Sequence, residues 1–138
     1  MKVDAPAPDK YLRRSMDEVA GEFYERLAAG NPATTRCPGC GLASFPPRPR
    51  CSGCGEATEW EELPRRGALE AFTTQETAVR FGAPEVLALA RVGDVVIPGI
   101  AGAPYEELAV GDEVELETFA EPQTGLTLIR FRPASPSP

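Results

Sequence analysis

All four thiols of the chain fall in two short repeats, Cys37-Pro38-Gly39-Cys40-Gly41 and Cys51-Ser52-Gly53-Cys54-Gly55, with ten residues between the two cysteine pairs. A two-residue spacer lets both sulfurs of a pair reach one ion from a tight turn. The glycine after each second cysteine leaves backbone amides free to turn toward the thiolates and spread their charge. Two such pairs supply four thiolates, which close a tetrahedral shell with no open position, the pattern of a structural zinc site. Iron also accepts four thiolates, and two disulfides are the alternative without metal. The expectation is one structural ion, zinc ahead of iron, held by Cys37, Cys40, Cys51 and Cys54. A filled shell cannot hold a substrate water, so the ion should hold the chain together and not react. A ribbon of about 30 residues cannot bury enough surface to fold alone, so metal binding should supply its stability.

The rest of the chain offers little reactive chemistry. Its 138 residues include no histidine. With the cysteines taken as ligands, neither an imidazole base nor a thiol nucleophile is left. Carboxylates, tyrosine and lysine stay available, yet no acid–base pair stands out, and Glu56, Glu59, Glu61 and Glu62 read as a solvated face. No catalytic residue is assigned. The formal charge is −7, from 21 acidic and 14 basic residues, and four thiolates on one divalent ion carry it to about −9. Phosphate-backbone binding draws on clustered Lys and Arg, which an acidic chain is poorly placed to supply. No apolar run approaches the length of a bilayer span. Met1 to Lys10 lacks the apolar core of a secretory signal. Cytoplasmic residence is expected, and a reducing compartment favours metal over disulfides.

The cysteines need elements to carry them. Leu12, Met16, Val19, Ala20, Phe23 and Leu27 recur at helical spacing and predict an amphipathic helix, stopped by Gly30 and Pro32. Ser15 and Glu18 have capping-box spacing, which puts the regular start near Met16. This stripe reads as core packing or as a docking element for a partner. Beyond the cysteines, five β runs follow: 68–74, 85–92, 95–100, 113–117 and 126–131. Gly93-Asp94, Gly111-Asp112 and Gly125 supply turns between them. Phe81-Gly82-Ala83-Pro84 reads as an apolar loop. Five strands of this size suit a small closed barrel such as the OB-fold, with a split sandwich as the alternative. The sequence thus predicts a mainly β chain with an N-terminal helix. Residues 1–10 form a flexible lead, 11–35 a helical segment, 36–63 the four-cysteine ribbon, 64–133 the five-stranded barrel and 134–138 a disordered tail. Trp60, the sole tryptophan, is expected in core or interdomain packing.

In their order and spacing these pieces resemble the acyl-CoA-associated zinc-ribbon/OB-fold family. The residues that carry the likeness are Phe23-Tyr24-Glu25, the two cysteine knuckles, Phe45-Pro46-Pro47-Arg48 and Trp60. Gly67, Val110-Gly111-Asp112-Glu113-Val114 and Phe131-Arg132-Pro133 complete it. The resemblance implies an N-terminal helix, a rubredoxin-like zinc ribbon and a C-terminal OB-fold. It also implies a hetero-oligomer with a thiolase-superfamily enzyme (a thiolase, an acyltransferase or a lipid-transfer-type aldolase). The partner would hold the catalytic residues, and the small subunit would stabilise the complex and help form the acyl-CoA site. The chain is then not an enzyme on its own. A single-stranded nucleic-acid-binding module is the second reading, an iron electron carrier the third.

Arg36, Arg48, Arg50, Arg65 and Arg66 gather positive charge near the ribbon. They read as solvated groups or as counter-charge to the metal–thiolate centre. Arg48, Arg50, Arg65 and Arg66 are also candidate contacts for the phosphates of CoA, since guanidinium suits bidentate phosphate recognition. Phe45, Pro46 and Pro47 form a stiff apolar loop. It reads as packing of ribbon on barrel, as a wall for an acyl or pantetheine chain, or as a partner contact.

Overall fold

The computed structural model describes residues 8–75, 85–122 and 125–134, with side chains described from residue 18 onward. The loop 81–84 and the tail 135–138 therefore lie outside the described residues, as do the side chains of Leu12 and Met16.

Helix α1 spans Pro8–Ala28. It begins well before Met16, takes in residues assigned by the sequence to a flexible lead, and runs straight through Ser15. A proline costs nothing at the first helical position, because the N–H it lacks has no partner there in any helix. Gly30, at φ 81°, ends the helix in a Schellman turn, with the Asn31 N–H on the Arg26 carbonyl at 2.8 Å and the Gly30 N–H on the Leu27 carbonyl at 2.9 Å.

Three short strands make the ribbon sheet: β1 (Ala33–Arg36), β2 (Ala43–Ser44) and β3 (Glu59–Glu62), in the antiparallel order β2-β1-β3. Strand β1 starts at Ala33, inside the stretch 11–35 expected to be the helical segment. Two buried β-branched residues explain why. Thr34 and Thr35 are fully enclosed, and their hydroxyls tie down the connection to the second knuckle. Thr34 donates to the Ser44 carbonyl, and Thr35 Oγ1 accepts the Arg48 N–H at 2.9 Å.

Five strands then close a barrel: β4 (Arg66–Gln75), β5 (Glu85–Val92), β6 (Val95–Ala101), β7 (Glu113–Ala120) and β8 (Thr127–Pro133). Their order around the barrel is β4-β5-β6-β8-β7, with β4 also paired to β7. Neighbours are antiparallel except β6 and β8, which run parallel. This is the OB connectivity, not a split sandwich. A bulge between Leu69 and Ala71 bends β4, as closing so small a sheet requires. A 3₁₀ turn, Tyr105–Glu107, leads toward β7. Leu69, Ala90, Val92, Ile97, Val114 and Phe131 fill the interior. Leu27 of α1 joins the same buried cluster, with Phe23 and Phe45 packed against it. Helix, ribbon and barrel thus share one core.

Candidate metal centre

The two knuckles are built alike. In each, the N–H of the first cysteine donates to the carbonyl five residues on: Cys37 to Leu42 at 2.9 Å, Cys51 to Glu56 at 2.8 Å. The N–H of each closing glycine returns to the first cysteine's carbonyl: Gly41 to Cys37 at 2.9 Å, Gly55 to Cys51 at 3.0 Å. That turn requires φ values of 79° and 81° at Gly41 and Gly55, a region other residues rarely occupy. With the chain wound this way, amides face the sulfurs. The Cys40 N–H lies 3.5 Å from Cys37 Sγ, and the Gly53 N–H lies 3.3 Å from Cys51 Sγ.

Facing each other, the knuckles bring all four sulfurs within 4.8 Å of one another. The Cys37–Cys54 and Cys40–Cys51 sulfur pairs are each 3.5 Å apart. A disulfide needs about 2 Å. A zinc ion at about 2.3 Å from each of four thiolates needs sulfurs about 3.8 Å apart. The donor set is therefore spaced for one metal ion. Cys37 and Cys51 are buried, Cys40 and Cys54 exposed, so an ion would sit at the rim of the ribbon with one thiolate of each pair inside. Electrostatics agree. The Cys54 and Gly53 amides hold the Cys51 thiol down to about 6. At Cys54 the Glu56 amide pulls the same way but is outweighed, chiefly by the Cys37 thiol and by burial, which push it up to about 12. Four thiols this close compete for negative charge until a cation lies between them.

The arginines extend the internal symmetry. Arg36 and Arg50 each precede a knuckle, and each donates to that knuckle's glycine carbonyl: Gly41 at 2.7 Å and Gly55 at 3.1 Å. Arg36 does more. Its guanidinium also meets Glu61 on β3 at 3.0 Å and Asp94 on the β5–β6 turn at 2.8 Å, so one side chain joins knuckle, ribbon sheet and barrel. Both carboxylates raise its pKa, the hydrogen bond to Asp94 being the largest single cause. The sequence marked Asp94 only as a turn residue. The Arg-Cys-x-Gly-Cys-Gly repeat was the available signal for the paired role of Arg36 and Arg50. Arg48 contacts the Arg50 carbonyl at 3.3 Å, Arg65 donates to the Gly30 carbonyl at the end of α1, and Arg66 pairs with Glu113 and Glu115 across the barrel seam. The four candidate phosphate contacts are thus spread over the ribbon, the helix end and the barrel, and do not converge on one point. Trp60 is half-buried on β3, with the Arg26 guanidinium 4.8 Å above its ring, between helix and ribbon.

Phe45, Pro46 and Pro47 stand between two concavities. One is a groove of about 780 Å³ walled by α1, this loop and the barrel. The other is a cleft of about 470 Å³ that also includes Arg48, Ser52 and Asp94. Among the described residues, no helix is long and apolar enough to cross a membrane.

Residues 34–61 match the family model described as the ChsH2 rubredoxin-like zinc ribbon domain. No curated protein matches the sequence. Among solved structures, a chain of the "Ltp2-ChsH2(DUF35) aldolase" superposes with a TM-score of 0.74 at 23% identity, over 83% of this chain and 94% of that one. A DUF35-family protein of unknown function from Sulfolobus solfataricus superposes with a TM-score of 0.60 at 15% identity, over 94% of this chain and 100% of that one. These likenesses bear out the resemblance to the zinc-ribbon/OB-fold family: the segment 34–61 matches a zinc-ribbon model, in a fold shared with both structures.

Proposed function

We propose that this chain is a non-catalytic, zinc-stabilised accessory subunit of a thiolase-superfamily enzyme, supporting the stability of the complex and the binding of its acyl-CoA substrate. One observation carries the reading. Every thiol of the chain converges on one point, and there is no histidine, so a bound ion leaves this chain with neither thiol nucleophile nor imidazole base. Carbon–carbon bond chemistry beside a thioester would then draw any thiol or imidazole it uses from another polypeptide. The fold likeness to a chain of an aldolase supports the same view. Zinc in this site would supply folding stability and no open coordination position. The CoA phosphates are assigned to the cleft at Arg48, with Arg50 beside it, because Arg48 lines that cleft. Arg65 and Arg66 are assigned as further partner or CoA contacts, and Phe45, Pro46 and Pro47 as the wall between cleft and groove.

The test is co-expression of the full chain with a thiolase-like enzyme from the same source, followed by purification and metal analysis on one sample. Co-elution in fixed ratio, with one zinc per copy of this chain, is the expected result. A monomeric chain whose omission leaves that enzyme soluble and fully active would overturn it.

A further inference from the structure

We infer that the groove between α1, the Phe45-Pro46-Pro47 loop and the outer face of β4-β5-β6 is a binding site for an uncharged hydrocarbon ligand, a straight-chain or ring aliphatic group. This extends the acyl-CoA reading above, but it is tested on the chain without a partner, so the two can fail separately.

The argument begins with strand register. Ala71, Leu89 and Pro98 lie opposite one another across β4, β5 and β6, and Thr73, Leu87 and Ile100 form the next row on the same face. The residues between them in sequence, such as Ala88, point into the barrel core. A barrel face that water alone covered would alternate apolar-in with polar-out. Here both faces are apolar, and Leu89 is 42% exposed. Opposite this face, Phe23 of α1 and Phe45 of the ribbon loop meet edge-to-face at 5.7 Å and form the far wall. None of the described residues lining the groove is charged, although charged residues make up 25% of the chain. Among those described residues, only the hydroxyls of Tyr24, Thr73 and Thr127 offer side-chain polarity.

Polar-group accounting then selects the occupant. Strand β5, which carries Leu87 and Leu89, is paired to β4 on one side and to β6 on the other, so its backbone N–H and C=O groups are already bonded. An extended peptide laid in the groove would bury its own amides without partners, at a few kcal/mol each. A hydrocarbon has no such groups to satisfy. The volume of about 780 Å³ lies in the range of small-molecule pockets, which are mostly apolar with few polar groups.

The experiment uses the full, zinc-loaded chain and the neutral fluorescent probe N-phenyl-1-naphthylamine, displaced by dodecanol. The expected result is saturable emission at one probe per chain, displaced by dodecanol. Leu89→Glu should bind at least tenfold more weakly, because it puts a carboxylate into an uncharged groove. Leu89 is already part-exposed, so that variant should keep its circular dichroism and melting temperature. Phe45→Ser is the second variant and should weaken binding from the opposite wall. Sedimentation velocity on the same samples covers the other occupant. Absence of saturable binding, binding unaffected by both variants, or a dimer that Leu89→Glu dissociates would each overturn the assignment.

Discussion

Gly67→Ala offers a test of barrel closure whose size can be worked from the geometry. Gly67 sits on β4 where that strand is shared, facing Val114 of β7 on one side and β5 on the other. A Cβ built on Gly67 would lie 2.4 Å from the Arg91 carbonyl oxygen and 2.9 Å from Val92 Cγ2. An ordinary contact for a Cβ begins near 3.4 Å, so main chain must retreat by close to an ångström. The obstacle is backbone held by ladder bonds on both sides of β5, not a side-chain tip that can swing away. Overpacking of this kind costs about 1–3 kcal/mol, against a gain of roughly 0.4–1 kcal/mol from stiffening the unfolded chain. The net expectation is a loss of about 1–2 kcal/mol. Gly21→Ala in α1 is the matched control. Nothing lies within 4 Å of its Cβ position, so the same substitution should stabilise by roughly 0.5–1 kcal/mol through helix propensity alone. Urea unfolding of the zinc-loaded protein, followed by far-ultraviolet circular dichroism, reads both. Opposite signs support the seam as drawn. A Gly67→Ala protein as stable as wild type would refute it, because no arrangement with β4 this close to β5 can absorb the methyl freely.

Three further outcomes follow from the same contacts. Cys40→Ser should lose the bound metal and open residues 33–62 to protease while the barrel strands stay protected; retained stoichiometric zinc would contradict the four-sulfur site. Arg36→Met should speed amide exchange at the Gly93–Asp94 turn, whereas Arg50→Met should not, because only Arg36 reaches Asp94; equal effects would dissolve the ribbon–barrel link. Glu117, despite partial burial, is held below its ordinary value of 4.5 by Arg130 and Arg132. Its contribution is therefore present above that pH and is lost as pH falls through the lowered folded value. Glu117→Gln should reduce stability at neutral pH and match wild type in strong acid, and a pH-independent difference in unfolding midpoint would exclude this origin.

The cysteine centre was legible because its geometry is local. Tight turns, positive-φ glycines and amide-to-sulfur contacts are all encoded within a few residues of Cys37 and Cys51. The five barrel strands were equally readable, since turn glycines at Gly93, Gly111 and Gly125 punctuate short apolar or alternating runs. The start of α1 was not, because a proline followed by polar residues reads as a lead as easily as a first turn, and an internal Ser15–Glu18 pair imitates a cap. Nor was the joint role of Arg36 legible. Its partner Asp94 lies 58 positions away, and only the docking of ribbon on barrel brings them together. The groove was hidden for a related reason. Ala71, Leu87, Leu89 and Pro98 look like ordinary strand residues until the register shows that they share an outward face.

That outward face also separates the two classes of ligand an OB barrel can serve. Binding of a single strand needs flat aromatic surfaces for base stacking, set in a groove of unpaired cations. On this barrel the face carries Ala71, Leu89, Pro98, Leu87 and Ile100. Phe72 packs edge-to-face against Tyr105, with ring centroids 5.1 Å apart. The strand arginines are paired: Arg66 with Glu113 and Glu115, Arg91 with Glu70, Arg130 and Arg132 with Glu117. A phosphate backbone would have to displace those carboxylates while approaching a chain of net charge −7, and without counterion release from clustered cations there is little to drive it. A labelled oligothymidylate titrated with the full chain at low salt should therefore show no saturable change in anisotropy. Tight binding that weakens steeply as salt rises would show instead that the carboxylates yield, and that the barrel serves nucleic acid.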